Sequence, residues 1–467
     1  MKKIALLLVF CLSLSSCLVG CGNNTTDSIL KTPTRIESLN YSDFVISTAN
    51  QLNNISATVI GNSQVGTNAD MEKADYIENI FNEIGLSNVS KVPVMLNSWN
   101  FSNVTLTVDC NCADKTEVNF RIMGSYPYRY SFQELNTEIV YISKSSELNI
   151  ETIRNKGILV EPYSNTEIEE LEKFVYEIMQ YNPAFVLIST TFEDFYGYKV
   201  NTNYFENITC PLFAVSYSSY SNMRNYINKS TNPIKSIDAK ITASSTLSAE
   251  LVESYFVVGE IKGKSDKCIY VTAHRDTIHG GYMESSLSVG QVAAIASYLK
   301  SENYTPDYTI KFVITTGQEW GIVGQGENAG IREYIKTLSE DELDNIKGVL
   351  VFNGSYPCAF NVFTTTMVGN SDKLLKDITN YNTKYYETYS NLQNLNEVKE
   401  FNSLDYMTEA EEWLKIGIPT VLTAETNIGR YYRAGTSEDI DLVEVNTDIL
   451  NFLVNYYMGV VKIMASK

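Results

Sequence analysis

The chain has 467 residues, 36 basic against 55 acidic, with only 2 histidines and a formal net charge of −19. A single core rarely grows that large, so two domains are expected. The acidic surplus argues against nucleic acid as a partner and against electrostatic docking on an anionic membrane.

In chain order, residues 1–21 read as a secretory signal: Lys2-Lys3, an apolar run from Ile4 to Leu14, then a small-residue exit. Leu18-Val19-Gly20-Cys21 resembles a bacterial lipobox, in which the cysteine takes the lipid and becomes the first residue. Leu14-Ser15-Ser16-Cys17 is a weaker version, and a plain cleaved signal is the alternative. The expectation is a bacterial envelope protein, outside the cytoplasm, held to the membrane by lipid on Cys21. Residues 22–38 read as a short polar tether. Cys110, Cys112, Cys210, Cys268 and Cys358 then remain. Their odd number and scatter do not suggest a disulfide framework, and Cys110-Asn-Cys112 has no second pair to complete a metal clip.

From about Asp43 to Leu86 the pattern is helical, with Met71, Ala74, Ile77, Ile80, Phe81 and Ile84 on one face and Gly85 as the stop. Val92 to Val108 alternates as half-buried strands do. Between Cys110 and Ser245 short strands (Ile158–Val160, Ala184–Ile188, Cys210–Val215) surround one acidic helix, Thr166–Met179. After Glu253, strands predicted at 255–261, 268–273, 309–315, 348–352 and 419–424 alternate with helices. That spacing predicts an α/β fold, a mainly parallel mixed sheet with helices on both faces. The last helix, Thr447–Met464, is broken by Asn451, Asn455 and Lys462 and reads as core rather than as a membrane span.

Two strand ends carry the chemistry. Cys268-Ile-Tyr-Val-Thr-Ala-His274-Arg-Asp276 ends in His-x-Asp, a pattern in which His can ligate a metal and Asp hold its ring. Thr309–Thr315 runs into Gly317-Gln318-Glu319-Trp320-Gly321. Side chains delivered at the carboxyl ends of sheet strands are where α/β folds build sites. Taken together, order and spacing resemble the bacterial zinc aminopeptidases that carry a protease-associated domain. Relatives of these are glutamate carboxypeptidase II, the transferrin receptor and glutaminyl cyclase. The resemblance implies a zinc-exopeptidase-like domain formed by residues 39–109 and 248–467. It also implies an inserted β-rich α+β protease-associated domain over 110–247.

Carried over position by position, the family's two-zinc centre matches only in part. His274 keeps the first His ligand and Asp276 its supporting Asp. Glu284 falls on the bridging Asp, one methylene longer, and Glu319 on the second-metal Glu. Gln318 replaces the general base, Asn353 replaces an Asp ligand, and Arg433 falls near the last His. His279 is the one other imidazole, in a turn that does not suit it to replace the lost one. Gly417-Ile418-Pro419 is intact and anchors the final part of the comparison. At most one zinc is therefore expected, and none is favoured. Without metal, Asp276, Glu284 and Glu319 should crowd and raise one another's pKa values.

Two functions follow from this. In the favoured one the centre has decayed, as in the transferrin receptor, and the cleft receives a peptide or peptide-like ligand, with Trp320, Tyr282 and Tyr432 as candidate walls or packing. In the alternative the chain is a working zinc exopeptidase with altered ligands and another carboxylate, such as Glu409, as base.

Overall fold

The computed structural model describes residues 41–57, 63–101, 104–109, 117–125, 129–162, 168–189, 209–277, 281–323, 325, 327–353, 364–388, 396–401, 408–425 and 445–467. Cys21 and the rest of the proposed signal and tether lie outside these residues, as do Cys110, Cys112, Cys358, His279, Tyr432 and Arg433.

Helices α1 (Tyr41–Ala57) and α2 (Asn68–Ile84) open the described chain, followed by strand β1 (Ser87–Leu96). Helix α2 starts where Thr67 accepts the Asp70 N–H and stops at Gly85, whose φ of 79° is left-handed. The chain then passes through β2 (Trp99–Phe101), β3 (Thr105–Asp109), β4 (Glu117–Ser125), β5 (Tyr130–Ile142), α3 (Ile150–Ile153) and β6 (Gly157–Val160). Next come α4 (Ile168–Met179), β7 (Phe185–Ile188), β8 (Leu212–Val215), α5 (Tyr217–Lys229) and β9 (Ser236–Leu247). Helix α5 was not foreseen as a helix. Its Tyr, Ser and Asn residues obscure a narrow stripe of Tyr220, Met223 and Ile227 that is its buried side. Strands β2 to β9 form one sheet, ordered β2-β9-β3-β4-β8-β7-β6-β5, in which β5 also pairs with β9 and closes the ring. Strands β2 and β3, both ahead of residue 110, belong to it.

The remainder supplies β10 (Val252–Ile261), β11 (Ser265–His274), α6 (Leu287–Ser301), β12 (Tyr308–Thr315), α7 (Ala329–Thr337), α8 (Glu340–Asn345) and β13 (Ile346–Phe352). Then follow β14 (Thr364–Gly369), α9 (Asp372–Thr388), β15 (Asn396–Glu400), α10 (Glu409–Lys415), β16 (Thr420–Glu425) and α11 (Thr447–Met464). With β1 these make the larger sheet, ordered β1-β10-β12-β11-β13-β16-β14-β15. Its central strands β12, β11, β13 and β16 are parallel; β10 runs against β1 and β12, and β14 runs against β16 but parallel to β15. One apolar layer joins this sheet to α1, α2, α6 and α11, and another covers its opposite face with α7 and α10. The fold is thus the predicted mixed α/β sheet between helices. No helix among the described residues is long and apolar enough to cross a membrane.

A charged layer lies across one end of this apolar core. Arg275, 1% exposed, bonds Asp70 (0% exposed) at 2.8 Å. Its remaining donors meet the carbonyls of Tyr255 (2.7 Å), Asp70 (3.3 Å) and Thr315 (3.3 Å). Asp70 also accepts from Gly66 N–H, Ser254 Oγ and Thr316 Oγ1. Removing one partner of such a pair leaves an uncompensated buried charge. Asp70→Asn and Arg275→Leu should each lose about 3–5 kcal/mol in chemical denaturation. Lys373→Ala, which breaks the exposed pair with Asp377 (2.8 Å), should leave the midpoint unchanged.

Candidate functional site

Strand β11 places His274 beside Thr315 of β12 in parallel register, so both strand ends reach the same edge of the sheet. Strand alternation then sends His274 and Asp276 one way and Arg275 the other. His274 is 1% exposed; its Nδ1 lies 3.1 Å from the Asp276 carbonyl oxygen and 3.6 Å from its Oδ1. That leaves Nε2 as the ring nitrogen placed to ligate, as in carboxylate–histidine–metal pairs.

The Asp276 carboxylate is shared with the second motif. It accepts the N–H of Gln318 (3.3 Å) and of Glu319 (2.9 Å), so it caps the turn that follows β12. Gly317 makes that turn possible: its φ is 78°, and a Cβ there would come within 2.9 Å of Leu96 Cδ1. Burial pushes the Asp276 pKa up, but the hydrogen bond and charge of His274, with the two backbone N–H groups, outweigh it and leave it lowered. The expected crowding of carboxylates therefore does not raise Asp276.

The group that is raised is Glu409, the first residue of α10. It is fully buried, and among the described residues neither carboxylate oxygen has a hydrogen bond of ordinary geometry. Burial lifts its pKa to about 7; the Thr315 hydroxyl and His274 lower it, and the Asp276 charge adds to the rise. Through these neighbours Glu409 belongs to the same polar group as His274 and Asp276.

Gln318, at the position the resemblance gives to the general base, is 1% exposed, and both atoms of its amide lack a hydrogen-bond partner among the described residues. Glu319 is 5% exposed beside it. Asn353 stands just beyond β13, half-buried, its N–H on Thr423 Oγ1 at 3.1 Å. Glu284 lies on the single π-helical turn Tyr282–Ser286 ahead of α6, and its side chain is outside what the structure describes. Arg433 is outside the described residues altogether. Of the proposed aromatic walls, Tyr282 is buried in the core and Trp320 packs edge-on against Trp99, ring centroids 6.3 Å apart. Both therefore pack the interior rather than line a cleft.

Missing from the sequence reading is the layer beneath. Lys73 of α2, 1% exposed, donates to Ser63 Oγ (2.6 Å) and to the Arg275 carbonyl (3.1 Å). Burial lowers its pKa to about 7, Asp70 and Asp276 oppose that, and Arg275 reinforces it. The signal was available: Asp70 and Lys73 lie on the same helical stripe as Ala74, Ile77 and Phe81, and all are buried.

Among the described residues no group of three or more His, Cys, Asp or Glu converges as a metal site. Residues of zinc chemistry do remain in His274, with Asp276 behind it, and Glu319. Zinc favours imidazole, thiolate and carboxylate, and the amides at 318 and 353 are poor replacements. With one imidazole besides His279 in the whole chain, the donors do not fit a two-zinc centre.

The sequence profile of peptidase family M28 matches residues 257–448, the stretch holding every one of these positions except Lys73 and its N-terminal partners. That stretch is similar to peptidase family M28. Solved structures share the fold over nearly the whole chain. The peptidase M28 precursor from Shewanella amazonensis is 16% identical, with TM-score 0.70 over 95% of this chain and 98% of its own. The zinc aminopeptidase from Bacillus subtilis is 14% identical, with TM-score 0.64 over 92% and 96%. The aminopeptidase from Aneurinibacillus sp. strain AM-1 is 14% identical, with TM-score 0.60 over 92% and 95%. No curated protein matches the chain.

Two groups of this layer set a pH dependence. Folded Glu409 keeps its proton to about pH 7 while the unfolded chain releases it near 4.5, so folding takes up a proton between them. Stability should therefore fall as pH rises from about 4.5 to about 7. Lys73 acts in reverse: unfolded it holds its proton to about 10.5, folded only to about 7, so stability should recover as pH rises between those values. Urea denaturation across pH in chelator should show both arms. Glu409→Gln should flatten the first and Lys73→Met the second.

Proposed function

We propose that the chain is an envelope lipoprotein, anchored through Cys21, whose M28-type domain binds a peptide or peptide-like ligand at a centre that no longer hydrolyses it. The observation that carries this is Gln318. A neutral amide cannot take a proton from water, and general-base assistance is worth roughly 10²–10⁴-fold. Among the described residues its buried amide also has both donor and acceptor unmet, and an unsatisfied buried polar group costs about 1–3 kcal/mol. A peptide group offers the matching acceptor and donor side by side. Asn353 and Arg433 in place of an Asp and near the place of a His weaken the metal set at the same centre.

One observation favours a second reading, a zinc-dependent exopeptidase of the aminopeptidase type with altered ligands. Glu409 is a buried carboxylate close to His274 and Asp276 and titrates near neutrality, as a general base must. The readings part on metal content and turnover. Purified chain supplied with zinc should retain less than one ion and leave aminoacyl anilides uncut, while titration calorimetry with short peptides shows binding that weakens in Gln318→Met. Stoichiometric zinc, with turnover that vanishes in His274→Ala and Glu409→Gln, would establish the peptidase instead.

A further inference from the structure

We propose that Lys73 is a positioning residue for the candidate centre, clamping the strand-end peptide group from which Asp276 and His274 take their orientation. Strand β11 keeps its parallel neighbour as far as Arg275, whose N–H bonds the Thr315 carbonyl at 3.1 Å. Beyond that point the neighbour is a single residue from the far N-terminal side of the chain. Ser63 N–H donates to the Thr277 carbonyl (3.1 Å) and accepts the Thr277 N–H on its own carbonyl (3.4 Å). Its hydroxyl lies 3.1 Å from Thr277 Oγ1.

The Lys73 amine completes the grip. It donates to Ser63 Oγ and to the Arg275 carbonyl. That carbonyl belongs to the peptide group that ends at the Asp276 nitrogen. Fixing its plane fixes where Asp276 leaves the strand. Asp276 in turn meets the His274 ring through its carbonyl oxygen at 3.1 Å and carries the 318–319 turn on its carboxylate. The hydrogen bonds of the Lys73 amine go to this segment and not to His274 or Glu319 among the described residues.

Packing alone does not call for a lysine here. A methionine of similar length would fill the space without burying an amine, and buried polar groups replaced by apolar ones of like shape are often neutral or stabilising. The groups that face the amine are Asp70 and Asp276, which favour its charge, and Arg275, which opposes it. A residue that breaks the burial rule in this way, at the base of a candidate centre, is where function is expected to be retained at the expense of stability.

The histidine count makes the test direct. With ¹⁵N-histidine in the full chain only His274 and His279 contribute ring signals, and His279→Gln assigns them. In the parent chain the neutral His274 ring should show one tautomer, the proton on Nδ1. In Lys73→Met the separation between its two ring-nitrogen shifts should shrink toward that of mixed tautomers, while Tm is unchanged or higher. Ser63→Ala should move the signals in the same direction by less. Unchanged His274 signals in folded Lys73→Met would overturn the proposal, as would a spectral change matched by a fall in Tm. Should Lys73→Met fail to fold, unchanged signals in Ser63→Ala overturn it. The proposal rests on His274 being the centre and not on what binds there. Loss of peptide binding with the parent tautomer intact would sink the binding reading and leave this one standing.

Discussion

The ion pair between Arg275 and Asp70 is the constraint around which the peptidase-like sheet closes. A guanidinium taken wholly out of water is tolerated only when its donors are met, and here they are met by three different elements. Asp70 comes from α2, the Tyr255 carbonyl from β10 and the Thr315 carbonyl from β12. The pair therefore fixes how the N-terminal helix sits on the strand ends. It also sets the site, because strand alternation couples the two faces of β11. With Arg275 committed to the layer beneath, His274 and Asp276 can only face the other way. A shift of one residue would turn the imidazole toward Asp70 and take the guanidinium away from it.

This explains which parts of the molecule could be read from sequence. The central strands have mostly apolar runs, Cys268–Ala273 and Thr309–Ile314 (with Lys311 the one charge), and a run of that kind between helical stretches has few other meanings. Thr447–Met464 carries its own start signal in Asn446, whose side chain accepts from Asp448 and Ile449. Helix α5 was missed because its polar residues outnumber the three that pack. The charged layer was missed for a related reason. Asp70 and Lys73 look like solvent-facing positions until their partners, some 200 residues away, are brought beside them. Hydrophobic periodicity carries no record of which charges will be paired. The motif residues were legible one by one, whereas the part played by Glu409 depended on the burial that packing alone creates.

The substitutions at the centre are consistent with one another as a charge balance. A two-zinc site sets several carboxylates against the charge of two divalent ions. The two positions where the resemblance sets the base and an Asp ligand hold amides, Gln318 and Asn353, and so two fewer negative charges. Two of the remaining carboxylates have partners or protons of their own. Asp276 spends its charge on His274 and two backbone N–H groups, and Glu409 takes up a proton near neutrality. Between these two residues, then, like charge is relieved by groups already in the chain.

The turn carrying Gln318 and Glu319 is held from two sides, which ties the second sheet to the site. On one side is Asp276. On the other is the crossover between the sheets: Asn97 N–H bonds the Gly321 carbonyl at 2.6 Å, and Asn97 Oδ1 accepts Val323 N–H at 3.1 Å. Two residues on, Trp99 packs against Trp320 and donates its indole N–H to Ser245 Oγ of β9 at 2.7 Å. Ser98 and Ser248 close the crossover through a further pair of bonds. Any rotation of the closed sheet about this crossover must therefore pull on Trp320 or break its contact with Trp99. Since Trp320 follows Glu319 directly, the displacement reaches the two residues whose N–H groups sit on Asp276.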